Sequence, residues 1–315
     1  MGILHLLGTL LLLSCINPFP AGTSAPDPGI TWTELTPHAP WPESYNYQMF
    51  SIRDTLWVLH PRGTWCSADA RQWHPSSLPN VVQNQAFLDY VCFKGALYGL
   101  GSLRGNIERY DFSPMICRSS DLRTWDTLTT QSNLPKRFFY HPFVFNDHIW
   151  IIGGEDTRTA YQDIWRSPDG IHWTQVADRL PFGKRSSAQV VVLNGALYLL
   201  DHDVWRSTDG ITWTRICEAI LPGEQIFGYT ALVYQEKIWL LGCNRTGTFT
   251  SQVLYSADGQ TWQTHQAPWR PRGGVAAAVH QHKIYLTGGK YGGTPNHPDF
   301  RYDNDLWAME ITTSP

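Results

Sequence analysis

Three arginines stand at matched places ahead of apolar segments: Arg137 in Pro-Lys-Arg, Arg185 in Gly-Lys-Arg and Arg272 in Pro-Arg. A guanidinium suits bidentate contact with a carboxylate, so three brought together would form an anion-binding cluster. Paired with acidic neighbours on their own elements, they would instead be structural. Two tryptophans also sit in matched segments, His38-Ala-Pro-Trp41-Pro and Gln266-Ala-Pro-Trp269-Arg. Exposed, they would offer aromatic platforms for sugars or peptides; buried, they would plug the bases of their loops.

Two long polar segments add further candidates. Gly101 to Met115 carries Arg104, Glu108, Arg109, Tyr110 and Asp111, and Lys290 to Asn304 carries Tyr291, His297, Asp299, Arg301 and Tyr302. Arg109, Tyr291 and Arg301 join the ligand-binding set, because variable loops on a rigid scaffold are where binding resides. His297, Asp299 and Asp303 are metal-ligand types at an unspecific spacing. Cys66, Cys92, Cys117, Cys217 and Cys243 are scattered, with no C-x-x-C pair. No metal, cofactor or disulfide framework is expected. No nucleophile and base can be matched by spacing, so catalytic residues stay unassigned.

The elements that must position these residues come from repeats. Arg166-Ser-Pro-Asp-Gly-Ile-His-Trp173-Thr returns as Arg206-Ser-Thr-Asp-Gly-Ile-Thr-Trp213-Thr, and the same Ser, Asp and Trp columns recur at Ser67–Trp73, Ser119–Trp125 and Ser256–Trp262. Each motif follows an apolar strand with an aromatic, such as Leu197-Tyr198-Leu199-Leu200, itself preceded by another apolar strand. The units therefore read as strands a, b and c, a Ser-x-Asp-Gly turn, then strand d with its Trp. The repeated Asp is placed as a turn residue that bonds backbone N–H groups, with Gly supplying positive φ. Gly29-Ile-Thr-Trp32-Thr at the start repeats Gly210-Ile-Thr-Trp213-Thr, while the last unit stops after Asp305-Leu-Trp307. The chain is thus all-β: a six-bladed propeller of four-stranded blades, closed by the N-terminal strand pairing into the last blade. Strand alternation puts the d–a and b–c loops on one face, which holds the candidate residues, and the Asp turns on the other.

Residues 30–310 resemble the Kelch family through the double Gly at 153–154 and 288–289, the Asp-x-Trp at 163–165 and 305–307, and the strand-d Trp column. The resemblance implies that Arg137, Arg185 and Arg272 point into the channel mouth and bind acidic ligand groups. The Ser-x-Asp-Gly-x-x-Trp turn is similar to the Asp-box of sialidases, which carries one more residue between Asp and Gly.

Composition narrows the classes. Charged residues make up 16% of the 315 and aromatics 13%, with 15 Trp, which excludes a disordered chain. A net charge of −3 gives no footprint for nucleic acid. Residues 1–15 read as a signal peptide, with an apolar core too short to span a bilayer. It ends in Leu12-Leu13-Ser14-Cys15, which resembles a bacterial lipobox with Cys15 as the lipidated residue. Residues 16–29 follow as a flexible tether and 30–315 as the propeller. The reading is an exported monomer, a cell-envelope lipoprotein or a secreted protein, touching membrane only through the lipid. Its d–a and b–c face would bind a glycan, an acidic peptide or a partner protein. The alternative is an exported enzyme acting on an acidic sugar, which the sialidase and Kelch-type sialic acid mutarotase resemblances imply.

Overall fold

The computed structural model describes residues 29–45, 47–76, 89–106, 109–156, 158–294 and 297–312; side chains of 102–111, 294 and 297 are not described. The signal peptide, Cys15 and most of the tether lie outside these residues. The described chain is all β, a propeller domain of four-stranded antiparallel sheets.

Among the described residues, six such sheets follow one another in chain order. Sheet 1 begins at Gln48–Ile52, sheet 2 at Asp89–Phe93 and sheet 3 at Phe143–Phe145. Sheets 4, 5 and 6 begin at Gln189–Leu193, Thr230–Tyr234 and Ala276–His280. Sheets 1 to 5 take four consecutive main strands each, in the order a, b, c, d. Sheet 6 uses Ala276–His280, Lys283–Thr287 and Leu306–Thr312, and its outer strand is Gly29–Thr36 from the other end of the chain. The register sets Trp32 opposite Met309 and Gly29 opposite Thr312.

Six apolar clusters hold the sheets together, and each lies between two successive sheets. Leu199 and Trp213 of sheet 4 meet Phe143 and Ile152 of sheet 3. Tyr47 and Val58 of sheet 1 meet Ala276 and Leu306 of sheet 6, and Trp57 of sheet 1 meets Leu97 of sheet 2. Strand b is buried on both faces, as the continuous apolar runs require; every residue of Ala196–Leu200 is buried.

The Ser-x-Asp turns are built as local capping demands. Asp169 Oδ1 accepts from the N–H groups of Ile171 and His172 at 2.8 and 2.9 Å, and Ser167 Oγ accepts from Gly170 N–H at 2.8 Å. Gly170 has φ +82°, and a Cβ there would come within 3.0 Å of Tyr98 on the neighbouring sheet. Trp173 Nε1 closes the turn on the Gly170 carbonyl at 2.9 Å.

Two features add to the repeat. A small sheet of Ile226–Phe227, Cys243–Arg245 and Thr248–Thr250 extends sheet 5, and a hairpin of Lys290–Thr294 and His297–Tyr302 forms the b–c connection of sheet 6. The five cysteines in the described residues are free thiols.

Candidate functional site

The first strands of the six sheets meet around a cavity of about 630 Å³. Each sheet contributes one residue from the start of strand a: Gln48, Asp89, His141, Gln189, Thr230 and Ala276. Further lining comes from the d–a and b–c connections, notably Tyr45, His60, Phe139, Phe227, Phe249 and Lys290. Tyr47 and Tyr229 are buried in the wall.

The ring is mostly uncharged. Gln189 Oε1 accepts Ala231 N–H at 2.8 Å and its amide donates to the Tyr229 carbonyl, tying sheet 4 to sheet 5. Burial pushes the Asp89 carboxyl up to about 7 and the His141 imidazole down to about 4. Asp89 accepts no side-chain hydrogen bond among the described residues. His60 is brought to about 4, by burial first and then by Arg62. Its Nδ1 accepts Arg62 N–H at 3.0 Å, which leaves the proton of the neutral ring on Nε2. That buried Nε2 donor has no hydrogen-bond partner among the described residues. Lys290 sits over the rings of Tyr45 and Phe300 at 4.7 and 4.9 Å, and burial lowers its pKa.

The three sequence-selected arginines share one arrangement, and it is local to each sheet. Arg137 binds Asp163 through both terminal nitrogens at 2.5 and 3.0 Å and donates to the Gly153 carbonyl at 2.8 Å. Arg185 binds Asp203 at 2.9 and 3.0 Å and Asp201 at 3.0 Å. Arg272 binds Asp305 at 2.6 and 2.8 Å and Asp303 at 3.1 Å. Each partner Asp also accepts a Trp Nε1 two residues on, from Trp165, Trp205 and Trp307 at 2.7–2.8 Å. Each set joins the start of strand a to the start of strand c within one sheet. None of the three arginines lines the channel cavity, and their terminal donors are taken. The double glycines make room for this: a Cβ on Gly154 would meet Arg137 Cδ at 3.2 Å, and one on Gly289 would meet Arg272 Cδ at 3.0 Å.

The exposed-platform reading of the two loop tryptophans is corrected by their burial. Trp41 is 1% exposed, edge-on to Trp73 at 4.7 Å, with its Nε1 on Thr287 at 3.2 Å. Trp269 is 2% exposed and edge-on to Trp32 at 5.9 Å. Packing against the strand-d tryptophans recovers more apolar burial than exposure would. Arg109 lies on the third strand of sheet 2, and its side chain is outside the described set. Tyr291 and Arg301 are brought together opposite each other in the sheet 6 hairpin. Tyr302 of that hairpin stacks on Tyr45 at 5.5 Å. Of the weighed metal set, Asp303 is held by Arg272 and Arg270. Asp201, His202 and Asp203 bring ligand atoms within 4.8 Å of one another, but Arg185 occupies both carboxylates.

Asp89, His60, His141 and Phe227 were not selected from the sequence. The signal for Asp89 and His141 is a column: the residue at the start of each strand a, polar in five of six units, just ahead of the apolar run. His60 ends a strand b and Phe227 precedes a strand a, and neither belongs to it.

The fold and its channel define a β-propeller domain. Residues 119–229, spanning the end of sheet 2 and all of sheets 3 and 4, match the model of the DUF6242 beta propeller domain. The solved structure titled "Structure of YjhT" is similar at a TM-score of 0.68 with 12% identity, covering 86% of this chain and 96% of that one. No curated protein matches.

Proposed function

We propose that the chain is an exported, six-bladed, ring-closed Kelch-like propeller that binds a carbohydrate in its central channel, on the face of the d–a and b–c connections. The observation that carries this reading is the composition of the roughly 630 Å³ cavity. Aromatic rings alternate there with amide, hydroxyl and imidazole groups. Such sites orient a polar ligand through a few hydrogen bonds while apolar faces supply the contact area. The Asp89 carboxyl, about half protonated at neutral pH, lines this cavity, and His60 in the same wall keeps a buried Nε2 donor without a partner among the described residues. Closure of the ring is supported by the outer strand Gly29–Thr36 and by the apolar cluster between every pair of successive sheets. Export and lipidation at Cys15 complete the proposal and place the binding face at the cell surface.

Phe227 gives the test. It is 52% exposed at the start of sheet 5 and lines the cavity, so Phe227→Ala should leave the melting temperature nearly unchanged. Affinity for glycans recovered from an array screen should fall by about tenfold or more. Equal affinity in wild type and variant would remove the channel from consideration. For the anchor, the wild-type protein exported by a bacterial host should partition into the detergent phase and Cys15→Ala should block its maturation; wild type recovered in the aqueous phase would count against lipidation.

An enzymatic role is favoured by one observation, the Asp89 carboxyl at about 7 beside a solvent-reachable cavity. A group poised there is suited to proton transfer to or from a sugar. Turnover of an acidic sugar that vanishes in Asp89→Asn, with binding retained, would favour this reading over simple binding.

A further inference from the structure

A second cavity of about 400 Å³ adjoins the channel, and the two share Phe249 in their walls. It lies between the Thr248–Thr250 strand of sheet 5 and the hairpin of sheet 6. Tyr291 and Arg301 are directly opposed in that hairpin, which sets their side chains on one face. The Arg270 guanidinium lies 4.4 Å from the centre of the Tyr291 ring. Arg270, stacked on the Tyr291 ring, and Arg301, paired opposite Tyr291 in the hairpin, therefore line the wall of one cavity.

The unbalanced charge is that of Arg301. Arg270 and Arg272 share two carboxylates, with Arg270 loosely held by Asp303 at 3.7 Å and Arg272 on Asp303 and Asp305 at 3.1 and 2.6 Å. Arg301 is exposed and has no carboxylate within 4.0 Å among the described residues. Lys290, beside Tyr291 and facing the channel, contacts two aromatic rings rather than an acid. Arg137, Arg185 and Arg272 are neutralised within their sheets, whereas Arg301 in the cavity wall is not. An anion bound there would meet planar donors able to engage a carboxylate in pairs.

We propose that the Arg270–Tyr291–Arg301 cavity is an anion subsite that reads the carboxylate of an acidic oligosaccharide whose neutral portion occupies the channel. The proposal rests on the carbohydrate reading of the channel. The two cavities are separate and meet at Phe249, so the ligand class is an oligosaccharide whose acid group and channel sugar lie on different residues.

The test is calorimetric titration of the full chain with a uronate-containing trisaccharide and with its carboxyl-reduced counterpart. Wild type should prefer the acidic form by about tenfold at low salt, with the preference shrinking as salt rises. Arg301→Gln and Arg270→Gln should each abolish that preference while leaving affinity for the reduced form unchanged. Equal weakening of both forms, or no preference in wild type, would overturn the subsite. So would an acidic peptide that binds more tightly than the trisaccharide and loses its affinity in Arg301→Gln. Failure of either trisaccharide to bind would sink the channel reading. The subsite is then decided by inorganic sulfate, followed through the side-chain nitrogen NMR signals missing in the two variants. Saturable shifts in wild type support it, and their absence overturns it.

Discussion

Arg272 and Asp305 form a bidentate pair at 2.6 and 2.8 Å, with the guanidinium fully buried and the same carboxylate accepting Trp307 Nε1 at 2.7 Å. The motif recurs at Arg137–Asp163–Trp165 and Arg185–Asp203–Trp205. Sheets 1, 2 and 5 lack both halves, with Gly63, Met115 and Gln252 in the Asp column. Asp163 is the one carboxylate on the buried Arg137 among the described residues, so removing it leaves an uncompensated buried charge, which costs about 3–5 kcal/mol. Asp163→Ala should therefore lower stability strongly in a denaturant melt. The double variant Arg137→Met, Asp163→Leu should lose less than Asp163→Ala alone, because no charge is stranded. A double variant as unstable as the single would show that the pair does not act as a unit.

Acid should loosen the Asp turns. Backbone N–H bonds, from Gln72 first for Asp69 and from Thr124 first for Asp121, hold these carboxyls at about 2. Their unfolded values are ~3.9. A carboxyl depressed on folding adds stability above its unfolded pKa and loses it as pH falls toward the folded one. The melting temperature should drop between about pH 4 and pH 2, and Asp121→Asn should make that drop shallower. An unchanged acid profile in the variant would contradict the capping role.

Asp89 should act in the opposite sense. Its carboxyl is raised to about 7, so the folded state holds a proton that the unfolded state has released between about pH 4 and 7. Stability falls as pH rises through that window. Asp89→Asn should raise the melting temperature more at pH 8 than at pH 4. Equal shifts at both would place the carboxyl in a more polar setting.

The closing strand should be worth several kcal/mol. Gly29–Thr36 covers the edge of Leu306–Thr312, and Trp32 packs edge-on against the buried Trp269. Trp32→Ala should cost about 2–3 kcal/mol, since the indole is half-buried. Deleting residues 26–36 should cost more and expose a strand edge. Thermal unfolding of both variants checks this, and an unchanged melting temperature in the deletion would refute the contribution.

What the sequence by itself determined was the repeat and everything local to it. The Ser, Asp, Gly and Trp columns are read from neighbours within a few residues, and the turn bonds they predict span only two or three positions. The N-terminal Gly-Ile-Thr-Trp-Thr was legible as a missing fourth strand because it copies a strand found elsewhere in the chain. Only the tertiary structure decided the partners and the exposure of the candidate residues. Arg137 meets Asp163 across 26 positions, and Arg272 meets Asp305 across 33, because strands a and b carry the chain out and back before strand c begins. Both residue types stood in the sequence, but whether an Arg at the head of strand a turns toward a ligand or toward its own sheet is decided by the Asp at the head of strand c, which Arg185 meets even without a double glycine in its sheet. Trp41 and Trp269 read equally as platform or plug, since burial is set by the strand-d tryptophans packed against them. The channel ring draws one residue from each of six sheets, and Arg270 meets Tyr291 only where a hairpin of one sheet leans on the edge of another. Spacing along the chain carries no record of those approaches; packing between the sheets makes them.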